Sequence, residues 1–178
     1  FKTQLRALYR ASVYDNLGIM FPMITSVSEV QKVLEICKTV REELQAEQIP
    51  YAEKIELGIM IETPAAAIIS DQLAPLVDFF SVGTNDLTQY TLACDRQNPD
   101  IESFCDTHHE AILRLIAWSA KNAHEHGAWI GICGELAADT SLTERFLRMG
   151  IDELSVSPTF VLKVRDAVRK VDLHTKED

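Results

Sequence analysis

The sequence predicts an α/β fold built on a parallel sheet, because short apolar segments alternate with segments of helical periodicity. Five apolar segments bounded by glycine, proline or polar residues are predicted strands: Gly18–Ile24, Ile55–Ile61, Val77–Val82, Ala128–Cys133 and Ile151–Val156. Nearly continuous hydrophobic strands separated by helices are typical of a parallel sheet covered on both faces and joined by right-handed crossovers.

The ends of the predicted helices carry capping signals. The two clearest helical patterns have apolar residues on one face: Val30, Val33, Leu34, Cys37 and Leu44, then Ala111, Ile112, Leu115, Ile116 and Ser119. Capping boxes of the Ser/Thr-x-x-Glu type are predicted at three starts: Ser26 with Glu29, Thr107 with Glu110, and Ser141 with Glu144. Proline follows Thr63 and Ser157 at the first helical position, and Gly127 and Gly150 follow helix ends.

The spacing of the strands leaves two architectures open. From Ile19 to Ile151 each βα unit occupies about 33 residues, so eight units need roughly 264 residues, close to the roughly 250 of a (β/α)8 barrel. Residues 1–178 are therefore either a complete five-stranded open sheet or about the last five units of a barrel. Either way, the length predicts one domain.

Composition and charge exclude several classes of protein. The chain is 47% hydrophobic and 25% charged, as ordinary globular proteins are, and no apolar run approaches the roughly 18 residues of a membrane span. Seventeen basic and 27 acidic residues give a net charge of −10, which argues against a nucleic-acid partner. The N-terminal FKTQLRALYRAS lacks the features of a signal or anchor, and we expect the chain to be part of a longer protein.

The cysteines and histidines suggest neither disulfides nor zinc. Cys37, Cys94, Cys105 and Cys133 form no CxxC pair and no dense framework, so we expect reduced thiols in the cytoplasm, with packing roles or none for the first three. Four histidines flank one predicted helix about four turns apart without a cysteine pair, so we expect no metal there: His108, His109, His124 and His126.

Polar residues follow three of the predicted strands. Glu62 follows the second strand, Asn85 and Asp86 follow the third, and Cys133 ends the fourth. Ligands of parallel α/β folds bind at the carboxyl ends of strands, so we expect these side chains to meet at one rim. Glu62 and Asp86 suit Mg²⁺, which takes one or two protein carboxylates. An acid near a helix N-terminus is, however, also favoured by the helix dipole alone.

Asn85, Arg96 and Cys133 could each take part in chemistry, and for Arg96 and Cys133 a purely structural role is also open. Asn85 opens a helix after a glycine turn, where backbone N–H groups can hold a phosphate. Arg96 could bind a phosphate or carboxylate bidentately, or only neutralise a helix end or a surface acid. Cys133, at a strand end, could exchange a proton or attack an electrophile, although most cysteines in strands are small buried hydrophobes.

Four motifs resemble the PEP-binding barrel of the phosphoenolpyruvate (PEP)-utilising enzymes: GIMIETPAAA, FFSVGTNDLTQYTLACDRQN, GICGELAAD and IDELSVSP. The likeness covers Phe1 to about Arg169 and is greatest to the Enzyme I group of the bacterial sugar phosphotransferase system. It implies the last five strands of a (β/α)8 TIM barrel, without the first three strands or the phosphohistidine domain. It also implies that Glu62 and Asp86 bind Mg²⁺, that the Asn85–Asp86 turn and Arg96 hold the PEP phosphate, and that Cys133 protonates the pyruvate enolate.

The resemblance further implies a PEP-protein phosphotransferase that moves the phosphoryl group of PEP to its own histidine, for relay to a phosphocarrier protein in sugar uptake. It implies a homodimer, and it implies that residues 1–178 alone are inactive. Two alternatives remain: the PEP site of an ATP-coupled pyruvate phosphate dikinase or PEP synthase, and a non-catalytic dimerisation module. Four residues depart from the family pattern without touching an expected ligand: Cys105, Thr107, Glu110 and Ala138.

Overall fold

A five-stranded parallel sheet forms the centre of the molecule, as predicted. The computed structural model describes residues 1–14 and 16–175. Its strands are β1 (Gly18–Phe21), β2 (Glu56–Ile61), β3 (Phe79–Gly83), β4 (Trp129–Cys133) and β5 (Glu153–Leu154). Every pair of neighbours in the order β1-β2-β3-β4-β5 is parallel. The α/β class and the five strands are confirmed, although β1 and β5 are shorter than predicted.

Helices connect the strands. The α-helices are α1 (Lys2–Ala11), α2 (Val27–Ala46), α3 (Pro64–Ile68), α4 (Ser70–Leu73), α5 (Thr84–Leu92), α6 (Glu110–Glu125), α7 (Thr143–Arg148) and α8 (Val161–Lys170). Short 3₁₀ turns lie at Ser12–Tyr14, Ala74–Leu76, Pro99–Phe104, Glu135–Ala138 and Pro158–Phe160. Among the described residues, none of these helices is both long and apolar enough to cross a membrane.

The strand order decides between the two predicted architectures. In a doubly wound open sheet the order reverses at a switch point, and helices cover both faces. Here the order follows the chain without reversal, so right-handed crossovers put all the connecting helices on one face, as in a barrel. The structure therefore supports the partial barrel rather than the complete open sheet.

The burial of the two sheet faces agrees with this topology. One face is fully buried and carries Ile59, Ile61, Phe80, Val82, Ile130 and Ile132. The opposite face is partly open to solvent, with Met20 at 37% exposure and Ser81 and Cys133 half-buried. The expectation of a sheet covered on both faces is thus wrong for the described residues, because singly wound crossovers cover only the outer face.

The capping predictions hold at some helix starts and fail at others. Ser26 and Glu29 form the predicted capping box at α2, and Thr63 caps α3 by accepting a hydrogen bond from the Ala66 N–H. The box predicted at Thr107 is wrong, because the ring of His109 caps α6 by accepting from the Ala111 N–H.

The box predicted at Ser141 is also wrong. The Ser141 hydroxyl donates to Asp139 Oδ1 over 2.7 Å, and α7 begins only at Thr143, without a side-chain cap. The predicted glycines after helix ends do adopt the left-handed conformation, with φ of 77° at Gly127 and 86° at Gly150.

Candidate functional site

The carboxyl ends of β2, β3 and β4 form one rim, because these strands are parallel and in register. Ile61 pairs with Val82, and Gly83 pairs with Cys133. Glu62 follows directly after β2 and lies against Gly83, where an added Cβ would be 3.1 Å from Glu62 Oε2. A larger residue at position 83 would therefore collide first with Met60 Sδ, at 2.8 Å, and would crowd the Glu62 side chain.

Glu62 is a buried carboxylate, with only 4% of its surface exposed. Its Oε1 accepts a hydrogen bond of 2.6 Å from the backbone N–H of Met23, in the loop after β1. Burial raises the pKa of the Glu62 carboxyl, the Met23 hydrogen bond opposes that rise, and the neighbouring Asp86 carboxylate adds to it. The buried Glu62 carboxylate thus has a second acid beside it.

Asp86 lies in the first turn of α5 and links Glu62 to Arg96. The Arg96 guanidinium is 3.5 Å from Asp86 Oδ1, and both side chains remain partly exposed. The backbone N–H of Arg96 donates to Gln89 Oε1 over 3.2 Å, which holds the arginine beside α5. These contacts bring Glu62, Asp86 and Arg96 into one cluster; the sequence predicted the meeting of the two acids at the rim.

The turn at Asn85 joins the ends of β3 and β4. Thr84 Oγ1 donates to the Cys133 carbonyl over 2.9 Å, and the Glu135 N–H donates to Asn85 Oδ1 over 3.2 Å. Gly134 allows the two strand ends to approach this closely, since its φ is 91° and an added Cβ would lie 2.6 Å from Thr84 Oγ1.

Cys133 is half-buried, and its thiol is reduced. The Sγ–H donates to the Val82 carbonyl over 3.4 Å. Burial raises the pKa of the Cys133 thiol, and among the further causes the nearby Glu62 and Glu153 carboxylates raise it as well. The thiol is therefore protonated at neutral pH and able to donate a proton.

Two neighbouring clefts open at this rim. The first, of about 800 Å³, is lined by Asn85, Cys133, Glu135, Asp139 and Lys163 among others. The second, of about 570 Å³, is lined by Asn85, Gln89, Cys94, Arg96, Cys105 and Glu135 among others. Asn85 and Glu135 border both clefts, so Asn85, Arg96 and Cys133 lie on one continuous surface.

Several residues at the site were not predicted. The Met23 N–H and the Gln89 side chain hold predicted residues, and Lys163 lines the first cleft. Glu135 also lines this cleft; its position after the fourth strand predicted that it lies at the rim, but no role was predicted for it. Lys163 comes from α8, and no feature of the sequence connects that helix to the rim.

Two of the four histidines that flank α6 contact carboxylates. His108 Nε2 is 2.7 Å from Asp139 Oδ2, and His124 Nε2 is 2.9 Å from Asp152 Oδ2. Within residues 1–14 and 16–175, no group of three or more His, Cys, Asp or Glu side chains is arranged to hold a metal ion.

Cys94 and Cys105 are bonded to each other, which corrects the assignment of these residues to packing or to no role. Their Cα atoms lie 5.8 Å apart, although eleven positions separate them in the sequence. Ala93 ends α5 with a left-handed φ of 52°, and the Pro99–Phe104 turn then brings the chain back. The spacing of the cysteines carries no sign of this return, so the sequence did not predict the bond.

Comparison with known proteins identifies the family. The model of the PEP-binding domain of PEP-utilising enzymes matches residues 1–173. The chain belongs to the PEP-utilising enzyme family. The phosphoenolpyruvate-protein phosphotransferase of Lactococcus lactis subsp. cremoris is 48% identical over the whole chain, and that of Priestia megaterium is 48% identical over 96% of it. The chain covers 31% and 30% of these two relatives, about a third of their length.

Solved structures support the fold of this family member. A citrate lyase from Burkholderia xenovorans LB400 matches 94% of the chain and 53% of its own length, with a TM-score of 0.68 and 20% identity. A Haloferax volcanii malate synthase matches 99% of the chain and 52% of its own, with a TM-score of 0.68 and 14% identity. The chain therefore has the fold of part of a TIM-like barrel.

Proposed function

We propose that this chain is the PEP-binding part of a PEP-protein phosphotransferase of the Enzyme I type. The observation that carries the proposal is the arrangement at the rim, where Glu62, Asp86 and Arg96 form one cluster beside Asn85 and Cys133. Relatives with this name that are 48% identical add support. The reaction is transfer of the PEP phosphoryl group to a histidine of the enzyme, with release of pyruvate.

The two carboxylates fit a magnesium ion. Glu62 and Asp86 offer hard oxygen donors, and they lie together in a place where burial and the neighbouring Asp86 carboxylate disfavour the ionised form of Glu62. A divalent cation would relieve the repulsion between the two carboxylates, and Mg²⁺ commonly takes two protein carboxylates with substrate and water oxygens completing its shell. When bound, the ion would neutralise negative charge on the phosphate and carboxylate oxygens of PEP.

Arg96 and Asn85 are assigned to the phosphate. Arg96 carries a permanent positive charge at the edge of the second cleft, and its planar guanidinium can contact two phosphate oxygens at once. The oxygen of the Asn85 amide accepts from the Glu135 N–H, which leaves the amide NH₂ group as a donor to a third oxygen. Positioning and charge neutralisation are the main contributions of a protein to phosphoryl transfer.

Cys133 is assigned as the acid that completes the reaction. After phosphoryl transfer, the enolate of pyruvate must gain a proton on its methylene carbon to become a methyl group. The Cys133 thiol is protonated at neutral pH and borders the first cleft, so it can deliver that proton and then recover one from water.

Other parts of the proposed enzyme lie beyond this site. Since the chain covers about a third of its relatives, we assign the acceptor histidine and the surface for the phosphocarrier protein to the remaining part. We expect residues 1–178 alone not to turn over. A homodimer and a cytoplasmic location belong to the same proposal.

Labelled PEP tests this function directly. The protein expressed from its complete reading frame is incubated with radiolabelled PEP and MgCl₂, and we expect an acid-labile phosphohistidine together with pyruvate. Labelling from ATP instead would indicate a dikinase or PEP synthase. A dimer that neither binds PEP nor takes up label would indicate a dimerisation module.

A further inference from the structure

We infer that Cys94 and Cys105 are a reversible dithiol–disulfide pair that controls the position of Arg96, and through it the affinity for PEP. The inference rests on the proposed function of the rim. It goes beyond that function, since it concerns two cysteines that take no part in the assigned chemistry.

The disulfide closes the loop that carries Arg96. Cys94 stands two residues after the end of α5, Cys105 follows the Pro99–Phe104 turn, and Arg96 lies between them. The bonded pair also borders the same 570 Å³ cleft as Arg96 and Asn85. A change at the sulfur atoms is therefore a change in the wall of the proposed phosphate site.

Few other contacts hold this loop in place. Residues 95–97 are exposed, Phe104 is 71% exposed, and the hydrophobic core of the described chain includes no residue from 95 to 104. Backbone donors at 97, 98, 100 and 101 bond to acceptors at Asp95 and Asn98, within the loop itself. Among the described polar contacts, those that join residues 95–104 to the rest of the protein are made by Arg96, which contacts Gln89 and Asp86.

Opening the disulfide is therefore expected to loosen Arg96. A loop without apolar anchors gains conformational freedom when its ends are released. Binding of PEP must then order the loop again, and the entropy lost in doing so lowers the affinity for PEP. Immobilising one long side chain, that of Arg96, on binding corresponds to a loss of roughly threefold to tenfold in affinity. The oxidised form is the form that binds PEP more tightly.

The sulfur atoms are placed for exchange with a small partner. Cys94 is only 4% exposed, whereas Cys105 is half-buried at the cleft surface, so Cys105 is the sulfur that a small molecule reaches. In oxidation by a low-molecular-weight disulfide, the Cys105 thiolate forms a mixed disulfide and releases one thiol, and the Cys94 thiolate then displaces the second. Two protein thiols lose two electrons and two protons, and the small disulfide becomes two thiols. A dithiol reductant reverses the exchange.

Peptide mapping tests the bond itself. Trypsin cuts after Lys54, Arg96 and Arg114, so Cys94 and Cys105 fall in separate peptides, 55–96 and 97–114. The protein expressed from its complete reading frame is equilibrated with oxidised or reduced glutathione, alkylated and digested. We expect the two peptides to be joined after oxidation and separate after reduction. Separate peptides under both conditions would overturn the inference.

Titration with PEP in the presence of Mg²⁺ tests whether the redox state of Cys94 and Cys105 changes the affinity for PEP. We expect the reduced protein to bind about threefold to tenfold more weakly than the oxidised protein. The Cys94→Ser/Cys105→Ser variant should bind like the reduced form under both conditions. A Cys37→Ala variant should keep the redox response, because Cys37 is a free thiol buried in the core.

The Arg96→Gln variant tests whether the redox state changes PEP affinity through Arg96 or through a general loosening of the fold. In that variant we expect weak binding that no longer depends on the redox state. Equal PEP affinity of the oxidised and reduced wild-type protein would overturn the inference and leave the proposed function intact. No PEP binding in either form would overturn the proposed function, and with it the control of PEP affinity.

Discussion

Glu62 is the residue at which function and stability are most clearly opposed. Its carboxylate is 4% exposed, its pKa is raised by burial, and Asp86 is its neighbour. A carboxyl with a raised pKa in the folded state holds its proton more tightly there than in the unfolded chain. Ionising Glu62 therefore costs folding free energy that a bound cation would offset.

This opposition predicts a change in the pH dependence of unfolding. In metal-free buffer the free energy of unfolding of the wild-type protein should fall as the pH rises from the ordinary glutamate value of 4.5 through the raised pKa of Glu62. Glu62→Gln should lack this component and be more stable than wild type at neutral pH. Urea denaturation across this pH range measures the effect. Glu53→Gln, at an exposed position, is the control, and equal pH profiles for Glu62→Gln and wild type would contradict the account.

A second prediction concerns Cys133. Cys133→Ala should bind PEP within about threefold of wild type but form pyruvate at least about a hundredfold more slowly, since a positioned general acid contributes roughly 10²–10⁴ to rate. Because the thiol pKa is raised, the decline in wild-type activity that follows from loss of the thiol proton should occur at alkaline pH. Single-turnover assays of pyruvate formation measure both effects. Normal pyruvate formation by Cys133→Ala would remove the acid role.

At the scale of elements, glycines in the loops hold the strand ends together. Gly134 and Gly127 both have positive φ, but an added Cβ at Gly134 meets Thr84 Oγ1 at 2.6 Å, whereas at Gly127 it meets nothing within 4 Å. The two positions form a matched pair, since both carry backbone strain and only one carries a steric conflict at the rim.

Alanine at each glycine separates these two effects. Gly127→Ala should lose roughly 1–2 kcal/mol of unfolding free energy, because left-handed backbone is unfavourable for alanine. Gly134→Ala should lose more, because the φ of 91° and ψ of −170° at Gly134 lie in a region that is essentially restricted to glycine. Only Gly134→Ala should also weaken PEP binding, by displacing Thr84 and Asn85. Urea denaturation and PEP titration measure these quantities, and equal PEP affinities for the two variants would show that the Gly134 contact does not position the site.

The elements also show what local sequence can predict. Apolar segments located all five strands, and the Ser26 box located the start of α2, because burial and capping act between near neighbours. Ser141 was misjudged because Asp139, two residues earlier, competes for its hydroxyl. Cys94 and Cys105 were misjudged because a left-handed residue and a 3₁₀ turn bring them together.

At the scale of the whole molecule, periodicity alone could not choose between an open sheet and a barrel. Both contain the same βα unit, and only the spatial order of the strands distinguishes them. The meeting of Glu62, Asp86 and Cys133 at one rim could be predicted, because parallel strands end at the same edge. Lys163 could not, since the approach of α8 to the rim depends on tertiary packing.

We propose that the acids at the rim bind PEP together with a divalent cation. Titration of PEP into the protein expressed from its complete reading frame, with and without MgCl₂, tests it most directly. We predict saturable binding that requires Mg²⁺ and is weakened at least about a hundredfold by Asp86→Asn, since a metal site supplies several kcal/mol of charge stabilisation. Asp71→Asn, at an exposed position in α4, should leave binding unchanged. Equal PEP affinity with and without Mg²⁺, or in Asp86→Asn and wild type, would contradict the account.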